Sequence, residues 1–155
     1  MDEREKEFEA FVAQSFDFAR HNDKESLQKM LDAGLNVNLA NHKGDTLLML
    51  AAYHNSLDVA KMLLKRGAEV DKKNDRVQTP LAGVCFKGHY EMAKLLLSYG
   101  ANPSEENGKG LTPINCAIMF GRKDILKLLL EYNPELNVWQ KIGSWALGAK
   151  RSKEK

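Results

Sequence analysis

The sequence predicts an all-α solenoid of stacked helix-turn-helix units, and three observations carry that reading. Landmarks recur every 33 residues, at Thr46, Thr79 and Thr112, and at Leu48, Leu81 and Ile114. Leucine-rich triplets fall on the same grid, at Met62-Leu63-Leu64, Leu95-Leu96-Leu97 and Leu128-Leu129-Leu130. Helix stop signals keep step with both, at Gly67, Gly100 and Asn133. A period of this length marks a repeat architecture, because one helical hairpin cannot bury its own apolar face but stacked neighbours can.

With the first repeat position at Asn41, the full units span 41–73, 74–106 and 107–139, and a degenerate unit fits 8–40. In each full unit a threonine can accept a backbone N–H bond and cap a first short helix. Pro80 and Pro113 then take the first helical position, where no amide donor is needed; Leu47 stands there in the unit starting at 41. Asn55, Gly88 and Gly121 tolerate a left-handed backbone and end that helix. Asp58, Glu91 and Asp124 open the second helix, where a carboxylate favours the dipole. An extended loop with a β-turn leads to the next unit.

The ends of the chain depart from this pattern. Phe8, Phe11, Val12, Phe16 and Ala19 recur at helical spacing in a charged background, which predicts a longer amphipathic helix capping the stack. Pro134 breaks the last unit, and Trp139, Ile142 and Trp145 can line a final capping helix over 140–149. A single domain over 1–149 with a disordered basic tail at 150–155 is expected. The alternative use of Trp139 and Trp145 is homodimerisation, although a monomer is the expected state.

Composition narrows the function classes. The 155 residues carry 43% hydrophobic content and a net charge of +2, which supply a core but no dense basic face for nucleic acid or an anionic membrane. The beginning, MDEREKEFEAF, is acidic where a secretory signal would be basic, and no apolar run approaches a membrane span. Cys85 and Cys116 are isolated thiols, expected to be buried and reduced, and a cytoplasmic location follows. No phosphate-binding glycine loop, nucleophile elbow, His-Glu-x-x-His helix or Cys-x-x-Cys pair occurs, so no catalytic residue is assigned and no enzyme is expected. His21 and His54 share a repeat position, but neighbouring helices stand about 8–10 Å apart and nothing completes a metal shell. No metal site is assigned.

The segment TPLAGVCFKGHYEMAKLLLSYGAN resembles the ankyrin repeat, through Thr79-Pro80-Leu81, Gly88-His89, Glu91, Leu95-Leu96-Leu97 and Gly100-Ala101. The likeness extends more loosely over 23–136. It implies helix pairs whose loops project at right angles and form a concave groove, and a protein-binding role. His89 is then a structural landmark. The family's usual histidine after Thr-Pro-Leu is replaced by Met49, Ala82 and Asn115, so its loop-tying hydrogen bonds are not expected. Val77 stands where Gly44 and Gly110 stand in the other units, and a β-branched residue is disfavoured at positive φ. That turn is expected to be distorted or opened.

In ankyrin proteins, positions thirteen and fourteen and the loop tips face the groove. The resemblance therefore assigns a partner-binding strip of Tyr53, His54, Phe86, Lys87, Met119 and Phe120. Its polar flank is His42, Lys43, Asp45, Asp75, Arg76, Gln78 and Lys109. Partial exposure of the aromatics would mark binding, and full burial a secondary core. The segments LMLAAYHN, NDRVQTPLAGVCFKG and AIMFGR are also similar to small bacterial ankyrin proteins, some of them associated with catalase, haem supply or peroxide tolerance. This second resemblance implies Tyr53 as a haem ligand supported by His54, with Phe86 and Met119 facing the macrocycle and a catalase as partner. No other cofactor is expected.

Overall fold

The computed structural model describes residues 1–109 and 111–132. The expectations for Gly110, Asn133, Pro134, Trp139, Ile142, Trp145, the cap at 140–149 and the tail at 150–155 lie outside the described residues. Eight α-helices pair into four hairpins, with no strand among the described residues. They are α1 (Glu3–Arg20) with α2 (Lys24–Asp32), α3 (Leu47–Tyr53) with α4 (Leu57–Lys65), α5 (Pro80–Lys87) with α6 (Tyr90–Ser98), and α7 (Pro113–Met119) with α8 (Lys123–Glu131). The first helices form one layer, α1–α3–α5–α7, and the second helices form the other. Leu48, Leu81 and Ile114 from one layer meet Leu63, Leu96 and Leu129 from the other in one continuous core.

Local chemistry fixes each hairpin. Thr46, Thr79 and Thr112 accept from the backbone N–H groups of Met49, Ala82 and Asn115 at 3.1, 3.3 and 3.1 Å. These bonds satisfy one orphan donor at the head of each first helix. Asn22, Asn55, Gly88 and Gly121 carry φ of 58°, 58°, 81° and 66°, so each hairpin turns through one left-handed residue.

The residue that follows locks each unit to the one before. Ser56 Oγ donates to the Arg20 carbonyl at 3.0 Å, and Arg122 Nη2 to the Phe86 carbonyl at 2.8 Å. His89 Nε2 meets the Tyr53 carbonyl at 3.2 Å; since that oxygen can only accept, Nε2 carries the proton. Three different side chains thus do one job on the same grid. The Arg122 guanidinium lies so close over Gly88 that an added Cβ would sit 2.9 Å from its carbon.

Two expectations are corrected. The turn at 74–78 is intact. Val77 adopts φ 63° and its N–H bonds the Asn74 carbonyl at 2.9 Å, as Gly44 bonds Asn41 at 2.9 Å. Asn41 and Asn74 each fold a side-chain oxygen over two loop amides, which over-determines both turns. Space decides the choice of residue. At Gly44 a Cβ would lie 2.8 Å from the Asp75 backbone nitrogen, whereas opposite Val77 stands Gly108, which has no side chain. The loop that departs is the next one, where Asn107 Oδ1 leaves its own turn and accepts from Thr79 N–H at 2.7 Å. This bond ties adjacent loops without the family's histidine.

The second correction concerns α1. Phe16 and Ala19 are buried and Val12 packs on the core, but Phe8 and Phe11 are exposed. On the repeat grid α3 starts opposite residue 14, and Phe8 and Phe11 lie before that point. Those two rings do not shield the stack.

Candidate functional site

The groove lies where the ends of the first helices meet the loop tips. A cavity of about 690 Å³ opens there, lined by Tyr53, His54, Phe86, Met119 and Phe120 together with His42, Lys43, Asp45, Arg76 and Gln78. The remaining assigned residues sit differently. Lys87 stands over the Tyr53 ring, with Nζ 5.0 Å from its centroid. Asp75 packs against Gly44 and donates its N–H to the Lys43 carbonyl, so it serves the loop-to-loop contact. Lys109 is exposed, at φ 54°, on the irregular third loop.

The aromatics interlock. In two units position fourteen rests on position thirteen of the preceding one: Lys87 covers Tyr53, and Phe120 meets Phe86 edge-on with centroids 4.8 Å apart. This shingling orders the side chains without burying them. Tyr53, Phe86, Phe120 and Met119 keep 37, 44, 43 and 65% of their surface exposed. Rings already ordered by neighbours lose little rotamer freedom when something docks on them, which is the property of a contact anchor.

Sequence reasoning missed part of the lining. Leu50, Gly83 and Cys116 form a second column at repeat position ten. Tyr53 lies against Gly83, where an added Cβ would stand in van der Waals contact with the ring at 3.4 Å. Arg20 also lines the cavity, and it is position thirteen of the degenerate first unit. Carrying the grid into that unit would have found it.

The groove histidine and the two thiols are shifted toward their neutral forms. The His54 imidazole is held neutral, first by burial and then by Arg20, Lys87, His21 and His89 nearby, its pKa falling below the usual histidine value. Burial raises the Cys116 thiol, and it raises Cys85 far further, with Cys116 adding to that shift. Neither offers a thiolate nucleophile near neutral pH. Among the described residues no three His, Cys, Asp or Glu side chains converge as metal ligands. No described helix is long and apolar enough to cross a membrane.

The comparisons with known proteins agree with this architecture. The family described as Ankyrin repeats (3 copies) matches residues 16–74 and 68–140. A Pseudomonas aeruginosa protein, ankyrin repeat protein PA3287, is 51% identical over 51 residues. That match covers 33% of this chain and 30% of the relative, so it spans less than a third of the relative's length. With four stacked hairpins, capped and locked on one 33-residue grid, the chain belongs to the ankyrin repeat family.

Proposed function

We propose that this chain is a non-catalytic interaction module that holds a protein partner in its groove. The family is one of protein-interaction modules, and the half-exposed, interlocked column of Tyr53, Phe86 and Phe120 carries the finer reading. Recognition is by shape and patch complementarity. Affinity purification from the native host supplies the partner, and recovery of a catalase is the specific outcome to look for. With that partner, Phe86→Ala or Tyr53→Ala should weaken the complex by about 2 kcal/mol or more while the free protein melts as before. An equal loss of folding stability would make the column packing instead.

A second reading, haem binding through Tyr53, is favoured by the tyrosine and His54 lining the same cavity. A phenolate can hold ferric haem iron. The two rings stand side by side, with centroids 5.7 Å apart, too close to bracket a macrocycle from opposite faces. Tyr53 would therefore be the ligand and His54 its support. Haemin titration tests this: a Soret shift lost in Tyr53→Phe supports it, and a shift that survives removes Tyr53.

A further inference from the structure

Resting on the groove reading above, we propose that the occupant is an acidic peptide segment carrying an aromatic or large aliphatic anchor. The lining is asymmetric in charge. Arg20, Lys43 and Arg76 line the cavity and Lys87 stands over the ring of Tyr53, whereas Asp45 is the one carboxylate among the lining residues described. Asp45 is already occupied, accepting from Asn74 Nδ2 at 2.8 Å.

The cations are not occupied in the same way. Arg20 pairs with Asp17 at 2.8 Å, but among the described residues no carboxylate lies within ion-pair distance of Lys43, Arg76 or Lys87. Some cations elsewhere are paired across units, as Arg66 is with Asp32 and Lys73 with Glu105, while other exposed lysines such as Lys61 and Lys94 stand in no ion pair among the described residues. The cavity lining thus sets three cations against one occupied carboxylate, around apolar side chains, on a chain whose net charge is only +2. Burial is the first cause of the lowered His54 pKa, and Arg20 and Lys87 add to it in the same direction.

Carboxylates of the segment would face Lys43 and Arg76 on the loops, and the anchor would enter between Tyr53 and Phe86. Lys87, drawn over Tyr53, would meet a further carboxylate. Cations this exposed steer encounter and select sign, while the aromatic floor holds the complex.

The test is panning of a random-peptide phage library against the full chain, followed by anisotropy measurements on the peptides recovered. Acidic sequences with one bulky apolar residue should dominate. Their affinity should fall about tenfold or more in Lys43→Glu/Arg76→Glu, and it should weaken as salt rises. Phe86→Ala should also weaken them, independently of salt. Neutral or basic peptides that bind equally well, or acidic peptides indifferent to the charge reversal, would overturn the inference.

The two readings fail separately. Neutral peptides lost in Phe86→Ala would leave the groove reading standing and remove the acidic occupant. Acidic peptides indifferent to Phe86→Ala would remove the groove. Tighter binding of a labelled single-stranded oligonucleotide than of any acidic peptide would place a nucleic acid there instead. Concentration-dependent self-association lost in both Phe8→Ser and Lys43→Glu would place the acidic α1 of a second copy there. Either result overturns the proposal.

Discussion

Val77 holds φ at 63°, a left-handed conformation that its branched Cβ opposes by about 1–2 kcal/mol. The surrounding hydrogen bonds enforce it, so the strain is retained in the folded state. Val77→Gly should therefore stabilise the protein by about 0.5–1 kcal/mol, the relief being partly offset by glycine's larger unfolded-state entropy. A rise of about 2 °C in melting temperature is the expected reading. Asp71 carries a different strain. Its Oδ2 accepts from Asn102 N–H at 3.0 Å, but Oδ1 is buried without a partner. Burial raises its pKa, and Glu105 adds to the shift. A carboxyl whose folded pKa is raised contributes stability at acid pH that is lost as pH rises through the folded pKa. At the same grid position Asn38 makes the equivalent bond, to Glu69 N–H at 2.9 Å, without a charge. Asp71→Asn should thus stabilise by less than about 1 kcal/mol at neutral pH, since the site is only half-buried. Denaturant melts across the acid range should show that advantage vanishing as wild-type Asp71 protonates.

At the scale of elements, α1 is two structures in one helix. Residues 14–20 align with α3 and carry Phe16 and Ala19 into the core. Residues 3–13 run on for about 16 Å with no partner helix beside their outer face, held at the head by the Asp2–Glu5 capping box. Phe8→Ser should then change stability by no more than about 0.5 kcal/mol, whereas Phe16→Ala should cost about 3 kcal/mol or more in urea melts. Periodicity alone could not separate these halves, because Phe8, Phe11 and Phe16 all sit on helical spacing. What distinguishes them is where the neighbouring helix begins, which is a tertiary fact. The caps were legible for the opposite reason. Thr46, Thr79 and Thr112 act on amides three residues away, so local sequence contains the whole interaction. The groove falls between these cases. The repeat grid read through the ankyrin resemblance assigned Tyr53, Phe86 and Phe120 to the groove, but the cover of Tyr53 by Lys87 and the bond from Thr79 to Asn107 join residues of adjacent units through side-chain reach. Nothing in the spacing specifies that reach.

The whole molecule is a one-dimensional stack, in which each unit is stabilised by the units beside it. In the second-helix layer α6 packs on both α4 and α8, while α2 packs on α4 at the N-terminal end with α1 as its hairpin partner. Leu96 and Leu27 are both fully buried, in α6 and α2 respectively. Either one changed to alanine removes comparable apolar volume, at about 2–5 kcal/mol. Their reach should differ, because a defect in an interior unit weakens two interfaces and a defect at an end weakens one. Leu96→Ala should lower amide protection across α3 to α8 together, since the hairpins on both sides of α5 and α6 then pack on a weakened neighbour. Leu27→Ala should instead fray α1 and α2 and leave the amides of α5 to α8 near their wild-type protection. Native-state hydrogen exchange reads this pattern directly, and equal loss everywhere in both variants would mean that the four hairpins unfold as a single unit. The groove draws one wall from α1 through Arg20 and the rest from the ends of α3, α5 and α7 and from the loop tips. Fraying of the first hairpin should therefore cost a ligand its contact with Arg20 while the anchor site at Phe86 and Phe120 persists, so Leu27→Ala should weaken groove binding less than Phe86→Ala does.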